Sequence, residues 1–291
     1  MQAKKFLLAG LALLIFVMVV LTTSIQNAHP IAKLYVFGDS LSDTGAVFRA
    51  TGGMYPSSPP YFQGRYSNGR VWVEYLGDRL HLSPNQVNNF AYGGATTGSD
   101  RNMVPGLLTQ VQLFAQTHKN THSDALYVLW AGANDYLQGV SSAIPVANIT
   151  KAIATLADVG AKKILVANLP DLGQLPTTRK GANSASLSAL TQAYNQGLRR
   201  SLKVAQQHSG VQIATLDANT LYRQAIANPA TFGFTNVISP CLTGLSTCGN
   251  PDQFLFWDGI HPTTKAHRIL GETAFAAIQD AAMINSRSML P

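Results

Sequence analysis

The sequence predicts an α/β fold built on a mostly parallel sheet, and two features of its 291 residues carry that prediction. Short apolar, β-branched runs alternate with longer helical patterns, which is the sequence sign of strand–helix–strand units. The alternation continues from residue 31 to the C-terminal helix without a linker-like break, so residues 29–291 read as a single domain. Hydrophobic residues make up 46% and charged residues 12%, enough apolar material for a packed core and unlike a disordered chain.

The elements follow in order. A strand at 31–37 (Ile-Ala-Lys-Leu-Tyr-Val-Phe) leads to a loop at 51–69 rich in Gly, Pro and Tyr, then to a helical pattern at 71–80. Strands at 86–91, 125–131 and 163–168 precede helical patterns at 106–118, 144–159 and 186–208 respectively. A strand at 211–216, a long loop at 228–258 and a helix at 263–282 complete the pattern, and residues 285–291 read as frayed. Loops as long as 51–69 and 228–258 in a compact domain are usually functional or strapped down.

The chain begins Met1, Gln2, Ala3, Lys4, Lys5, is uncharged and apolar over residues 6–21, and turns polar at Thr22, Thr23 and Ser24. A basic start before an apolar run of that length is the pattern of an export signal, so residues 1–28 are set apart and the protein is expected to be secreted or periplasmic. An uncleaved membrane anchor is the alternative, because the run extended to Ile25 approaches the ~20 residues that span a bilayer. Cys241 and Cys248 lie in a Gly/Thr/Ser-rich stretch. In an exported protein such a pair predicts a disulfide closing a local loop, with free thiols as the alternative; a metal site would need further ligands.

The formal net charge is +7, and Lys4 and Lys5 are the only charged residues of the leader, whose loss takes the balance to +5. That balance favours anionic surfaces, phospholipid head groups included. The basic residues are scattered as pairs (Lys162 and Lys163, Arg179 and Lys180, Arg199 and Arg200), which argues against a nucleic-acid partner.

Residues that carry chemistry sit where the predicted strands end. The first strand runs into Gly38, Asp39, Ser40 and Leu41. In a doubly wound sheet ligands bind at the carboxyl ends of strands, and a serine amide near a helix start faces anions. Taken alone, the segment reads equally well as a turn in which Asp39 and Ser40 cap a helix. The far end of the chain, Asp258-Gly259-Ile260-His261-Pro262, weighs against that plainer reading. A neutral imidazole accepts a serine proton through one nitrogen while a carboxylate holds the other N–H, and a three-residue offset across a glycine turn permits that contact. Pro262 suits the first position of a helix and biases His261 towards an extended conformation. A metal reading with Asp258, His261 and His267 is set aside, because no Glu, Cys or second closely spaced His completes a ligand set.

Donors for an oxyanion are available in two interior segments, 89–96 (Asn-Phe-Ala-Tyr-Gly-Gly-Ala-Thr) and Gly132-Ala133-Asn134-Asp135. Glycine lets a backbone N–H approach a reacting oxygen, and an asparagine amide donates without adding negative charge. The glycines at 93–98 are no phosphate loop, since Ser99 and Asp100 stand where a lysine is required.

In this order the segments resemble the GDSL or SGNH hydrolases, a family named for Ser, Gly, Asn and His in four blocks. Gly38-Asp39-Ser40-Leu41 matches the first block, residues 89–94 the second, Gly132-Ala133-Asn134-Asp135 the third and Asp258-Gly259-Ile260-His261-Pro262 the last. The resemblance implies a three-layer α/β/α sandwich with a five-stranded, flavodoxin-like sheet and no cofactor. It implies Ser40 as nucleophile with Asp258 and His261. It also implies an oxyanion hole made by the Ser40 amide, a glycine amide of the second block and the Asn134 side chain. Counting without gaps from Asn89 favours Gly94, with Gly93 as second choice.

The wording Ser-Pro-Pro-Tyr-Phe at 58–62 and Gly-Arg-Tyr-Ser-Asn-Gly-Arg at 64–70 resembles the branch of plant GDSL lipases and secreted bacterial lysophospholipases, acyltransferases and haemolysins. The resemblance implies hydrolysis of lipid acyl esters, lysophospholipids among them, with acyl transfer where an alcohol replaces water. Alternatives are a carbohydrate or small-ester esterase on the same fold and a catalytically silent module for cell-surface lipids. Tyr55, Tyr61, Phe62 and Tyr66 are candidates for an acyl groove or a membrane-facing lip. An ordinary loop packed on the sheet is the plainer reading of each.

Overall fold

A computed structural model describes residues 30–100, 104–119 and 123–283, so the export signal read at 1–28 and the frayed tail read at 285–291 lie outside the described residues. Among the described residues no helix is long and apolar enough to cross a membrane.

The main sheet consists of β1 (Lys33–Gly38), β2 (Val87–Asn89), β3 (Ala125–Trp130), β4 (Lys163–Ala167) and β5 (Gln212–Leu216). All neighbours are parallel, in the order β2-β1-β3-β4-β5. This is the flavodoxin-like winding, in which the chain steps to one side of β1 and then to the other, opening a crevice at the carboxyl end of β1. β3 and β4 are buried along their whole length, as strands covered on both faces are.

Helices α1 (Ala46–Ala50), α2 (Trp72–Arg79), α3 (Leu107–Thr117), α4 (Ala133–Leu137), α5 (Ile144–Asp158), α6 (Ser184–Ser209), α7 (Ala218–Ala227) and α8 (Thr264–Asp280) surround the sheet. Alternation along β3 sorts them to its faces, because successive side chains point to opposite sides. Tyr127 meets Phe114 of α3 with ring centroids 5.9 Å apart, while Trp130 meets Trp72 of α2 at 5.5 Å. On the first side α3 packs on α5 and α5 on α6; on the second α2 packs on α8. Tyr35 lies opposite Tyr127 in register and stacks on it at 5.2 Å, continuing the aromatic layer across β1.

The long predicted helices are found within one or two residues of their expected ends. α7 has no counterpart in the sequence reading, although Asp217 marks its start by accepting the Thr220 amide and hydroxyl. The strand expected at 86–91 narrows to Val87–Asn89: the Asn89 side chain takes the Ala91 amide at 2.9 Å, although the Phe90 and Tyr92 amides still donate to Val36 O and Gly38 O of β1 at 2.8 and 3.0 Å. The stretch expected as loop at 228–258 holds a parallel pair, β6 (Asn236–Pro240) and β9 (Phe254–Phe256), around a hairpin of β7 (Leu242–Thr243) and β8 (Ser246–Thr247). A Cys241–Cys248 disulfide closes that hairpin.

Candidate active site

β1 delivers Ser40 to the crevice by a route with little room for variation. A Cβ on Gly38 would stand 2.2 Å from the Trp130 carbonyl oxygen, so only glycine lets β1 run this close to the end of β3. Beyond it the chain enters a tight turn. The Asp39 carbonyl accepts the amides of Ser42 and Asp43, and its side chain accepts that of Leu41 at 3.0 Å. Ser40 therefore sits in a turn, and the helix expected beside its amide begins only at Ala46. The turn takes up the neighbouring amides and leaves the Ser40 N–H without a partner among the described residues. Asp39 caps this turn as the plainer sequence reading had it; Ser40 does something else.

The Ser40 hydroxyl lies 2.9 Å from His261 Nε2, and His261 Nδ1 lies 2.7 Å from Asp258 Oδ2. Burial would raise the Asp258 carboxyl, but the charge of His261, hydrogen bonds from its ring and amide, and the Ile260 amide outweigh it and hold Asp258 at about 2. An ionised Asp258 places the imidazole proton on Nδ1, which leaves Nε2 to accept from the serine. Asp258 also caps its own turn, with Oδ1 accepting the amides of Ile260 and His261 at 2.8 and 2.7 Å. One carboxylate thus both holds the imidazole and caps the turn that carries it.

The loop carrying these residues is pinned on every side. Trp257 N–H donates to His261 O at 2.7 Å, and the Thr177 amide donates to Gly259 O at 3.0 Å. Pro262, expected at the first helical position, instead precedes the N-cap Thr263 of α8. There its carbonyl accepts the Ser67 hydroxyl at 2.8 Å, tying the loop to residues 61–70. His267 is turned away from this site: fully buried, it accepts the Trp72 amide at 3.2 Å. Burial, and after it the charge of His261, pushes it down to about 3.

The second and third blocks converge on the same cleft of about 600 Å³, whose lining includes Ser40, Gly93, Gly94, Asn134 and His261. The Gly93 amide is bound to Asp43 Oδ2 at 2.9 Å, whereas the Gly94 amide has no partner among the described residues. Asn134 gives one amide hydrogen to Ala95 O at 2.9 Å, which leaves its second available. Val47, Leu137, Leu172 and Leu175 make the walls apolar.

Three polar residues hold this arrangement in roles the sequence reading did not assign, among them Tyr61, read there as a groove or lip candidate but bound to Asp258 instead. Asp43, fully buried, accepts the Gly45 and Ala46 amides at the start of α1 as well as that of Gly93. Asp135 accepts the Thr97 amide and hydroxyl at 2.9 and 2.7 Å, joining the second block to the third. Tyr61 donates its hydroxyl to Asp258 Oδ2 at 2.7 Å. Asp43 had a legible signal, an acidic side chain just ahead of a helix. The partners of the other two lie too far along the chain for any local pattern to disclose. Of the loop aromatics, Tyr55 and Tyr66 line the cleft and Phe62 lies under the Arg65 guanidinium at 5.7 Å.

At the carboxyl edge of a doubly wound sheet the structure thus brings a serine, a histidine and a carboxylate into line, an arrangement that can serve a serine nucleophile. Residues 34–274 match the sequence model described as GDSL-like Lipase/Acylhydrolase, and the chain belongs to that family. It is accordingly a serine esterase or lipase, an enzyme of the GDSL lipase and acyltransferase type.

The chain is 30% identical to a phosphatidylcholine-sterol acyltransferase of Aeromonas hydrophila, over 90% of this chain and 95% of the relative. It is 29% identical to a thermolabile hemolysin of Vibrio parahaemolyticus, over 83% of this chain and 62% of the relative. A GDSL lipase of Tanacetum cinerariifolium is 26% identical, with 91% and 89% covered. Among solved structures, a lipolytic G-D-S-L family member from Veillonella parvula superposes with a TM-score of 0.52 at 17% identity, covering 85% of this chain and 98% of the other. That likeness shows the shared fold.

Proposed function

We propose that the enzyme cleaves lipid acyl esters through an acyl-enzyme mechanism, and that residues 29–291 form the catalytic domain of an exported protein. The single observation that carries the mechanism is the unbroken line from Asp258 Oδ2 through His261 to the Ser40 hydroxyl, at 2.7 and 2.9 Å. His261 takes the serine proton as Ser40 attacks the ester carbonyl, then returns it to the departing alcohol. The amides of Ser40 and Gly94 and the free hydrogen of Asn134 stabilise the oxyanion. Gly93 is the weaker choice because its amide is already held by Asp43. Water then attacks the acyl carbonyl as His261 takes its proton, and the Ser40–acyl bond breaks as His261 returns that proton to the serine oxygen, releasing the acid.

A lining that is predominantly apolar around a few polar groups favours a lipid acyl chain over a sugar. The Aeromonas relative, named a phosphatidylcholine-sterol acyltransferase, supports phospholipids as acyl donors and gives reason to test an alcohol as acceptor. Exposed Met54, Tyr55 and Phe62 on the loop over the cleft suit contact with a membrane surface. Relatives named a hemolysin and a secreted effector accord with export.

Labelling with a fluorophosphonate tests the nucleophile: the folded protein should form one adduct, on Ser40, and Ser40→Ala should form none. An adduct elsewhere, or turnover retained in Ser40→Ala, overturns the mechanism. A panel of lysophospholipids, phospholipids, p-nitrophenyl esters and acetylated sugars, with and without cholesterol, tests the substrate. Lipid esters should lead; preference for acetylated sugars would transfer the reading to carbohydrate esters.

A further inference from the structure

We infer that Tyr61 is a positioning residue for the acid–base pair, its hydroxyl fixing the Asp258 oxygen that holds the His261 imidazole. The inference rests on the triad proposed above and adds a residue to it. Tyr61 Oη and His261 Nδ1 both stand 2.7 Å from the same atom, Asp258 Oδ2. The other oxygen, Oδ1, takes the amides of Ile260 and His261. Each carboxylate oxygen thus receives a pair of donors, and the carboxylate has no rotation left that would keep all of them. Without the phenol, Oδ2 would be held by the imidazole alone, the group whose orientation it has to fix.

The phenol is itself placed by its surroundings. Its ring stands edge-on to Trp257 at 6.4 Å and to Tyr66 at 6.3 Å, and Tyr66 in turn lies 5.1 Å from the His261 ring. The segment that carries it is sewn to the histidine loop beyond that point, through Ser67 to Pro262 O and Asn68 to the Thr264 amide. Burial, followed by the charge of Asp258, pushes the Tyr61 phenol far above its ordinary value, so it remains a donor at every working pH. Tyr61 is not among the residues lining the cleft, and its polar contact with the triad is the bond to Asp258.

The electrostatic consequence has a sign. A phenol donating to Oδ2 draws off part of the negative charge that stabilises the imidazolium. The other titratable groups near His261 are Asp39 from the turn after β1, Tyr66 from the same loop as Tyr61, and His267 on α8, and removing this hydroxyl deletes none of them. Deleting it should therefore leave more of the Asp258 charge facing the imidazole.

The test is Tyr61→Phe in the full chain, which keeps the ring packing and removes one oxygen. The acid limb of kcat/KM should move up by about half a unit to one unit. We expect kcat to fall roughly 10-fold, the scale seen when a partner orienting a reacting group is lost, with KM little changed. Tyr61→Leu, which also removes the ring, should lower kcat further and bring a fall in Tm that Tyr61→Phe does not. An acid limb that stays in place or moves down in Tyr61→Phe overturns the inference. Fluorophosphonate labelling of the same preparations separates this failure from failure of the triad: a Ser40 adduct with an unshifted limb condemns only the role of Tyr61.

Discussion

Asn134 shows how one side chain is held ready without being used up. Its bond to Ala95 O fixes the plane of the amide and consumes one of its two hydrogens. The other hydrogen, with the unpartnered amides of Ser40 and Gly94, can meet an oxygen that becomes negative only during the reaction. Asn134→Ala should lower kcat roughly 10²- to 10³-fold, the usual scale for one oxyanion donor, and leave Ser40 labelling slower but present. Steady-state kinetics on one soluble ester checks this, and unchanged kcat would remove Asn134 from the site. At this scale the sequence was most legible where several segments agree in order: Ser40, Asp258 and His261 were singled out by four blocks at strand ends and the family resemblance they carry, and the structure brings the three side chains together. The Tyr61 role could not be read at all, and of Asp43 only the helix-capping half could. Tyr61 reaches Asp258 across 197 residues and Asp43 reaches Gly93 across 50, and no local pattern encodes such a contact.

Among the elements, the disulfide hairpin has the least evident purpose and the clearest mechanical one. The amides of Cys241 and Leu242 donate to the carbonyls of Phe256 and Trp257, at 3.0 and 2.7 Å, and Trp257 donates to His261 O. The hairpin is thereby a backing strap for the loop that holds Asp258 and His261. Replacing both cysteines by serine should cost on the order of 2 kcal/mol in denaturant unfolding, the loss expected for a short closed loop. Activity should fall at a lower temperature than the far-ultraviolet circular dichroism signal does, because the strap loosens before the sheet melts. Coincident loss of both signals would mean that the hairpin stabilises the whole fold and not the loop. The same region explains what the sequence concealed at this scale. Long amphipathic helices such as α5 and α8 announce themselves by period, whereas β6 and β9 are short and irregular in register. Their pairing is dictated by the loop they support.

For the molecule as a whole, two buried groups beside the site give folding opposite dependences on pH. Burial pushes Asp39 up to about 7, while burial, and after it the charge of His261, pushes His267 down to about 3. Between their ordinary and shifted values the folded chain binds a proton on Asp39 that the unfolded chain has released. The unfolded chain binds one on His267 that the folded chain refuses. Stability therefore falls on the Asp39 account as pH rises from about 4 through 7, and rises on the His267 account from about 3 to 6.5. From pH 7 to pH 5 each amounts to roughly 2 kcal/mol, and the two oppose one another. The intact protein should show little change from this pair over that interval, and single substitutions should expose the slopes. Asp39→Asn, which keeps an acceptor for the Leu41 amide, should become less stable relative to wild type on acidification from pH 7 to pH 5. His267→Gln should become more stable relative to wild type over the same step, since its core no longer excludes a proton that the unfolded chain takes up. Urea unfolding at the two pH values measures both differences. Slopes of equal sign in the two variants would refute this opposition.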